Sequence, residues 1–87
     1  MTRFQGAVIK EQGITFAIII VKKHIIDSKF SSDNMVKNCQ SIFSGIPIVL
    51  MAQDYKGIPH YYGRTDIVNF MIKVPLQAVP WKEYTVT

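Results

Sequence analysis

The residues with the strongest claim to chemistry are Cys39, His24, His60 and the Gly63-Arg64-Thr65-Asp66 stretch. A lone cysteine close in space to a histidine can carry acyl transfer when its thiolate is accessible. Cys39, however, recurs at helical spacing with Met35, Val36 and Ile42, a stripe on which a thiol packs as a small hydrophobe. That position predicts no catalytic residue. His24 and His60 lack the short spacing of a metal pair, and neither has a Cys or Glu one helical turn away, so no metal and no cofactor are expected.

Gly63 to Asp66 is the better candidate for recognising an anion. A helix opening at Thr65 would aim its first amides outward, and Arg64 could grip a phosphate with two parallel hydrogen bonds. Strand alternation places His60 and Tyr62 on one face and Tyr61 on the other. The first candidate site is therefore Lys56, His60, Tyr62, Arg64 and Thr65. The plainer reading is a capped helix start with Arg64 paired to Asp66. The same stretch could serve nucleic acid, with cations on the backbone and Tyr61 or Tyr62 as stacking platforms, although no RNA or DNA module motif accompanies it.

A second candidate edge is Lys22, Lys23, His24 and Asp54, with Gln53 beside them. Ligands of open α/β sheets bind beyond the carboxyl ends of parallel strands, and these residues follow two apolar runs that read as such strands. A helix start at Ser31-Ser32 would add amide donors nearby. A solvated Lys-Lys-His turn accounts for the same residues without a ligand.

The elements that must position these residues follow from hydrophobic pattern and turn chemistry. Phe4 to Lys10 and Ile14 to Lys22 flank Glu11-Gln12-Gly13 and read as a β-hairpin. In the second strand Phe16, Ile18 and Ile20 face one way and Ala17, Ile19 and Val21 the other, which predicts an interior strand. Ser31-Ser32-Asp33 reads as the cap of a helix ending near Ser44, with Gly45 beyond it. Ile46 to Ala52 is a second buried strand, and strand, helix and strand in that order predict a right-handed parallel crossover. Asp54 to Gly57 is a turn, Ile58 to Tyr62 a short returning strand, and Thr65 caps a helix carrying Ile67, Phe70, Met71 and Val74 that Pro75 stops. Gln77 to Val86 supplies a last strand. The expected fold is a single small α/β domain with a mixed sheet, the order β-β-α-β-β-α-β, and two helices.

The strand-helix-strand order with Pro47-Ile48-Val49-Leu50-Met51 resembles the interior of response-regulator receiver domains. Ile46-Pro47 to Phe70 resembles the end of a thioredoxin-like domain. No aspartate ends the Ile14 to Val21 strand, so no phosphoacceptor carries over, and without a Cys-x-x-Cys pair neither does redox chemistry.

Composition narrows the function classes further. The 87 residues are 48% hydrophobic and 18% charged, against ~25% charged in typical soluble domains, so a short chain has much apolar surface to bury or share. The apolar run Phe16 to Val21 is far short of the ~20 residues of a membrane-spanning helix, and no secretory signal is read near Arg3. One cysteine fits a reducing compartment, which points to the cytoplasm. The net charge of +4 is spread along the chain rather than clustered. The expectation is a small non-enzymatic binding or regulatory module that acts through protein contact as a homodimer, because two helices are few to cover both sides of a two-faced apolar sheet. A nucleic-acid binder using residues 56–64 is the alternative. An enzyme or binder for a phosphate-bearing ligand at residues 63–66 is the third reading.

Overall fold

The sheet is built outward from two apolar strands. In the computed structural model, which describes residues 2–11 and 13–86, five strands lie in the order β4-β3-β2-β1-β5. β1 is Thr2–Glu11, β2 Ile14–Ile20, β3 Ile48–Gln53, β4 Pro59–Tyr62 and β5 Lys82–Val86. β1 and β2 are antiparallel, with Gly6 opposite Ile19 and Glu11 opposite Ile14. Gly13 turns the chain between them at φ 78°, a left-handed backbone that glycine adopts without steric cost; Gln12, also assigned to this turn, lies outside the described residues. β2 and β3 are parallel, whereas β3–β4 and β1–β5 are antiparallel. The mixed α/β sheet and its parallel crossover are as the sequence predicts.

The crossover departs from expectation in one respect. It contains two helices, α1 (Lys23–Asp27) and α2 (Lys29–Gln40), where the sequence suggested one. Ser28 separates them in an extended conformation (φ −113°, ψ 118°), and its Oγ accepts a hydrogen bond from the Ser31 amide at 3.2 Å. The cap is thus Ser28 rather than the Ser31 to Asp33 group. Ser32 is instead buried inside α2. The helix also ends earlier than Ser44: the Ser41 to Ile46 stretch is irregular, with Gly45 at φ 83°. α3 spans Thr65–Ile72 and is followed by a 3₁₀ turn at Leu76–Ala78, so the chain has three α-helices rather than two among the described residues.

Period-two alternation divides the core between the two sides of the sheet. Ala7, Phe16, Ile18, Val49 and Met51 meet Ile67 and Met71 of α3 on one side. On the other, Ala17, Ile19, Ile48 and Leu50 pack with Cys39 of α2. Both faces of β2 and β3 are therefore covered by the chain's own elements, and the bare apolar faces that motivated a homodimer are not present there. Among the described residues, the large apolar side chains that remain exposed are Val8, Phe30, Ile42, Tyr55, Ile58 and Ile72.

The cover on the α2 side is uneven. α1 and α2 pack over β3, and α1 reaches β4. β1 lies on the far side of β2 and receives an aromatic cluster instead, in which Phe4 stacks on Tyr84 (ring centroids 5.3 Å) and both meet the edge of Phe43. Gly6 keeps the strand close here: a Cβ at that position would stand 2.7 Å from the Ile18 carbonyl oxygen and 3.0 Å from Ile19 Cδ1.

Candidate functional site

Around residues 54–66 the candidate residues Lys56, His60, Tyr62 and Arg64 each have their own partner inside the chain, and Thr65 opens α3. Asp54 organises the turn, with Oδ1 accepting from the amides of Lys56 (2.8 Å) and Ile58 (3.0 Å) and Oδ2 lying 3.0 Å from His60 Nε2. Its carboxyl is held below the usual aspartate range, chiefly by the His60 hydrogen bond and then by the Ile58 amide. The Tyr62 hydroxyl donates to Asp33 of α2, which also receives Lys29 Nζ at 2.8 Å. Those bonds hold Asp33 low and raise Tyr62.

Arg64 donates to Asp66 from Nε (3.0 Å) and Nη2 (2.7 Å). This two-point pair raises the guanidinium pKa and lowers that of the carboxyl, and it turns the fork toward the protein's own acid rather than an incoming phosphate. Arg64 also occupies the cap position assigned to Thr65, which is instead the first residue of α3. Tyr61 points to the α3 side, where it packs against the core and its hydroxyl is buried without a partner among the described residues. Burial pushes that hydroxyl's pKa up. The aromatic run therefore does not form a continuous stacking surface. Lys56 extends over the ring of Tyr55, 5.6 Å from its centroid.

The second candidate edge divides. Lys23 pairs with Asp27 one turn along α1, and Asp54 belongs to the hairpin turn. Lys22 and His24 instead line a groove of about 800 Å³ between the end of β2, the start of β1 and the α1–α2 pair. Its lining includes Ile19 and Cys39, both almost fully buried, with Ile25, Met35, Phe4 and Ile42 around them. Cys39 is 4% exposed, and burial raises its thiol pKa, so it contributes apolar surface rather than a nucleophile. Asn38 and Ser41 border the groove on the α2 side. Arg3 also contributes to the lining, but alternation with Phe4 directs its side chain to the opposite face of the sheet.

The groove exists because α1 and α2 lie over β3 and leave a gap before β1. Sequence reading found Lys22, His24 and Cys39 but did not group them with Phe4, Met35 and Ile42. No local sequence signal groups them, because the grouping depends on where α1 and α2 sit over the sheet; Ile42, just beyond the end of α2, is left 38% exposed. Among the described residues no group of three or more His, Cys, Asp or Glu could hold a metal ion, and no helix is long and apolar enough to cross a membrane.

Fold and site together define a small mixed-sheet α/β domain with an apolar groove beside its parallel crossover. No family model, curated protein or solved structure matches the chain.

Proposed function

We propose that this protein is a small binding module whose working surface is the groove between α1, α2 and the start of β1. The observation that carries the reading is the groove itself: a concave, mainly apolar surface of about 800 Å³ with a few polar groups at its border. Small-molecule sites have this character, and their volumes run from roughly 300 to 1,000 Å³. Packing on both sides of the sheet holds the walls in place, so the surface is formed before anything binds. The paired arrangement of His60, Tyr62 and Arg64 makes the 56–66 region a structural hairpin and cap in this account, rather than a platform for nucleic acid or phosphate. Cytoplasmic residence is part of the reading, since a reducing compartment keeps the Cys39 thiol free.

The test is a thermal-shift screen of small apolar fragments against the wild type and Asn38→Trp. Asn38 is exposed on α2 and borders the groove, so a tryptophan there covers the opening without entering the core. The reading predicts fragments that stabilise the wild type and lose that effect in the variant. Fragments that stabilise both proteins equally, or a screen with no stabilising fragment, would refute it.

A further inference from the structure

Resting on that reading of the groove, we propose that its ligand is a free small amphipathic anion, with an apolar body against Ile19, Ile25 and Met35 and a carboxylate-type head facing Lys22 and His24. The lining already described accommodates the apolar body, and the charge at the border accommodates the head.

Lys22 and His24 both line the groove, and no acidic residue does. The nearest acids along the chain are held elsewhere: Asp27 by Lys23, and Asp33 by Lys29 and Tyr62. Asp54 is tied to the hairpin turn and His60, and Asp66 to Arg64. Neither Lys22 nor His24 makes an ion pair among the described residues, whereas Asp27, Asp33 and Asp66 pair with Lys23, Lys29 and Arg64, and Asp54 is hydrogen-bonded to His60. The border therefore carries positive charge without local compensation, which favours an anion over a neutral or cationic ligand of the same shape. The same charge disfavours a second copy of this chain, which would bring like charges to the contact.

The size of the groove favours a small molecule over a folded partner. A body of several apolar carbons can lie along Ile19 and Met35, while Lys22, just before α1, provides an ammonium that can swing to meet the head group. The head group provides selectivity, and the apolar body provides most of the binding, because an ammonium close to water gains little from a single pair.

Isothermal titration calorimetry with octanoate, octanol and octylammonium distinguishes the two parts of the idea. The expected result is octanoate binding about threefold tighter than octanol, and octylammonium weakest. In Lys22→Glu the preference for octanoate should vanish while octanol is unchanged. Lys22→Gln should fall between, and Asn38→Trp should abolish all three. Equal binding of octanoate and octanol, unaffected by Lys22→Glu, would overturn the anionic ligand and leave the binding groove standing. Binding that persists in Asn38→Trp, or none by any of the three compounds, would overturn the proposal at the level of the groove.

Discussion

The buried Ser32 hydroxyl donates a 2.7 Å hydrogen bond to the carbonyl of Ile25, seven residues earlier, and so ties α1 to α2 across the break at Ser28. Ile25 belongs to the groove wall, which makes this bond the link between the crossover and the proposed site. α1 is only five residues long, too short to hold itself as a helix in water, so its position depends on such tertiary contacts. Ser32→Ala leaves the Ile25 carbonyl without that donor and should cost about 1–3 kcal/mol in urea unfolding, with loss of fragment binding at sub-unfolding urea. Ser28→Ala removes only the cap and should cost about 1 kcal/mol. A Ser32→Ala protein as stable as the wild type would show that the bond does not hold α1.

Gly6→Ala sets two effects against each other. Relieving the chain entropy of a strand glycine is worth roughly 0.5–1 kcal/mol in favour of alanine. The new Cβ, however, would stand 2.7 Å from a backbone oxygen that cannot swing aside as a side chain can. Overpacking of this kind costs ~1–3 kcal/mol, so the clash wins and the variant should be less stable by about 1–2 kcal/mol. Denaturant unfolding showing a gain in stability would contradict the close approach of β1 to β2.

Tyr61→Phe should have the opposite character. The hydroxyl is buried with no partner among the described residues, and removing an unsatisfied buried group recovers its desolvation cost. The ring keeps its packing against the α3-side core. Unfolding should show unchanged stability or a gain of up to about 1 kcal/mol, and a loss beyond 1 kcal/mol would mean that the hydroxyl has a partner in solution.

Acid should destabilise the fold through three surface carboxylates. Asp33, Asp54 and Asp66 all have folded-state pKa values below the ordinary range, Asp33 chiefly through Lys29, Asp54 through His60 and Asp66 through Arg64. A group lowered on folding contributes stability that is present above its unfolded pKa and is lost as pH falls through its folded value. The urea midpoint should therefore hold steady above about pH 5 and decline below about pH 4. Asp54→Asn should shallow that decline. Tyr62, raised chiefly by its bond to Asp33, works in the other direction: its contribution is present below the ordinary tyrosine pKa and is lost as pH rises through the higher folded value. A urea midpoint that stays flat down to pH 2 would contradict the acid-side account.

The interior strands were legible because Phe16 to Ile19 and Ile48 to Met51 are apolar at every position, a pattern that only a strand buried on both faces requires. The start of α2 was not. Ser31-Ser32-Asp33 has better cap chemistry than a single serine, but Ser32 is needed inside the helix to reach Ile25, and that need is tertiary. Residues His60, Tyr62, Arg64 and Thr65 do come close along the chain, as their spacing implies, yet the sequence did not show that Asp33, from a distant helix, would take the Tyr62 hydroxyl. The groove was the least legible feature. It depends on where α1 and α2 sit across the sheet, and no local pattern in Met35 to Ile42 specifies a shift toward β3 rather than β1.

Because both faces of β2 and β3 are covered by the chain's own elements, light scattering coupled to size exclusion should find a monomer at micromolar concentration. A dimer that dissociates in Ile42→Lys would instead place a second copy beside the groove, since Ile42 is an exposed apolar residue of its lining.

The most direct measurement is amide chemical-shift mapping of the ¹⁵N-labelled protein titrated with octanoate. The account predicts perturbations concentrated at Ile19 to Ile25 and Met35 to Ile42, with Phe4 following, while Asp54 to Asp66 stay in place. Perturbations centred on His60, Tyr62 and Arg64, with the groove residues unmoved, would contradict it and move the working surface to the hairpin.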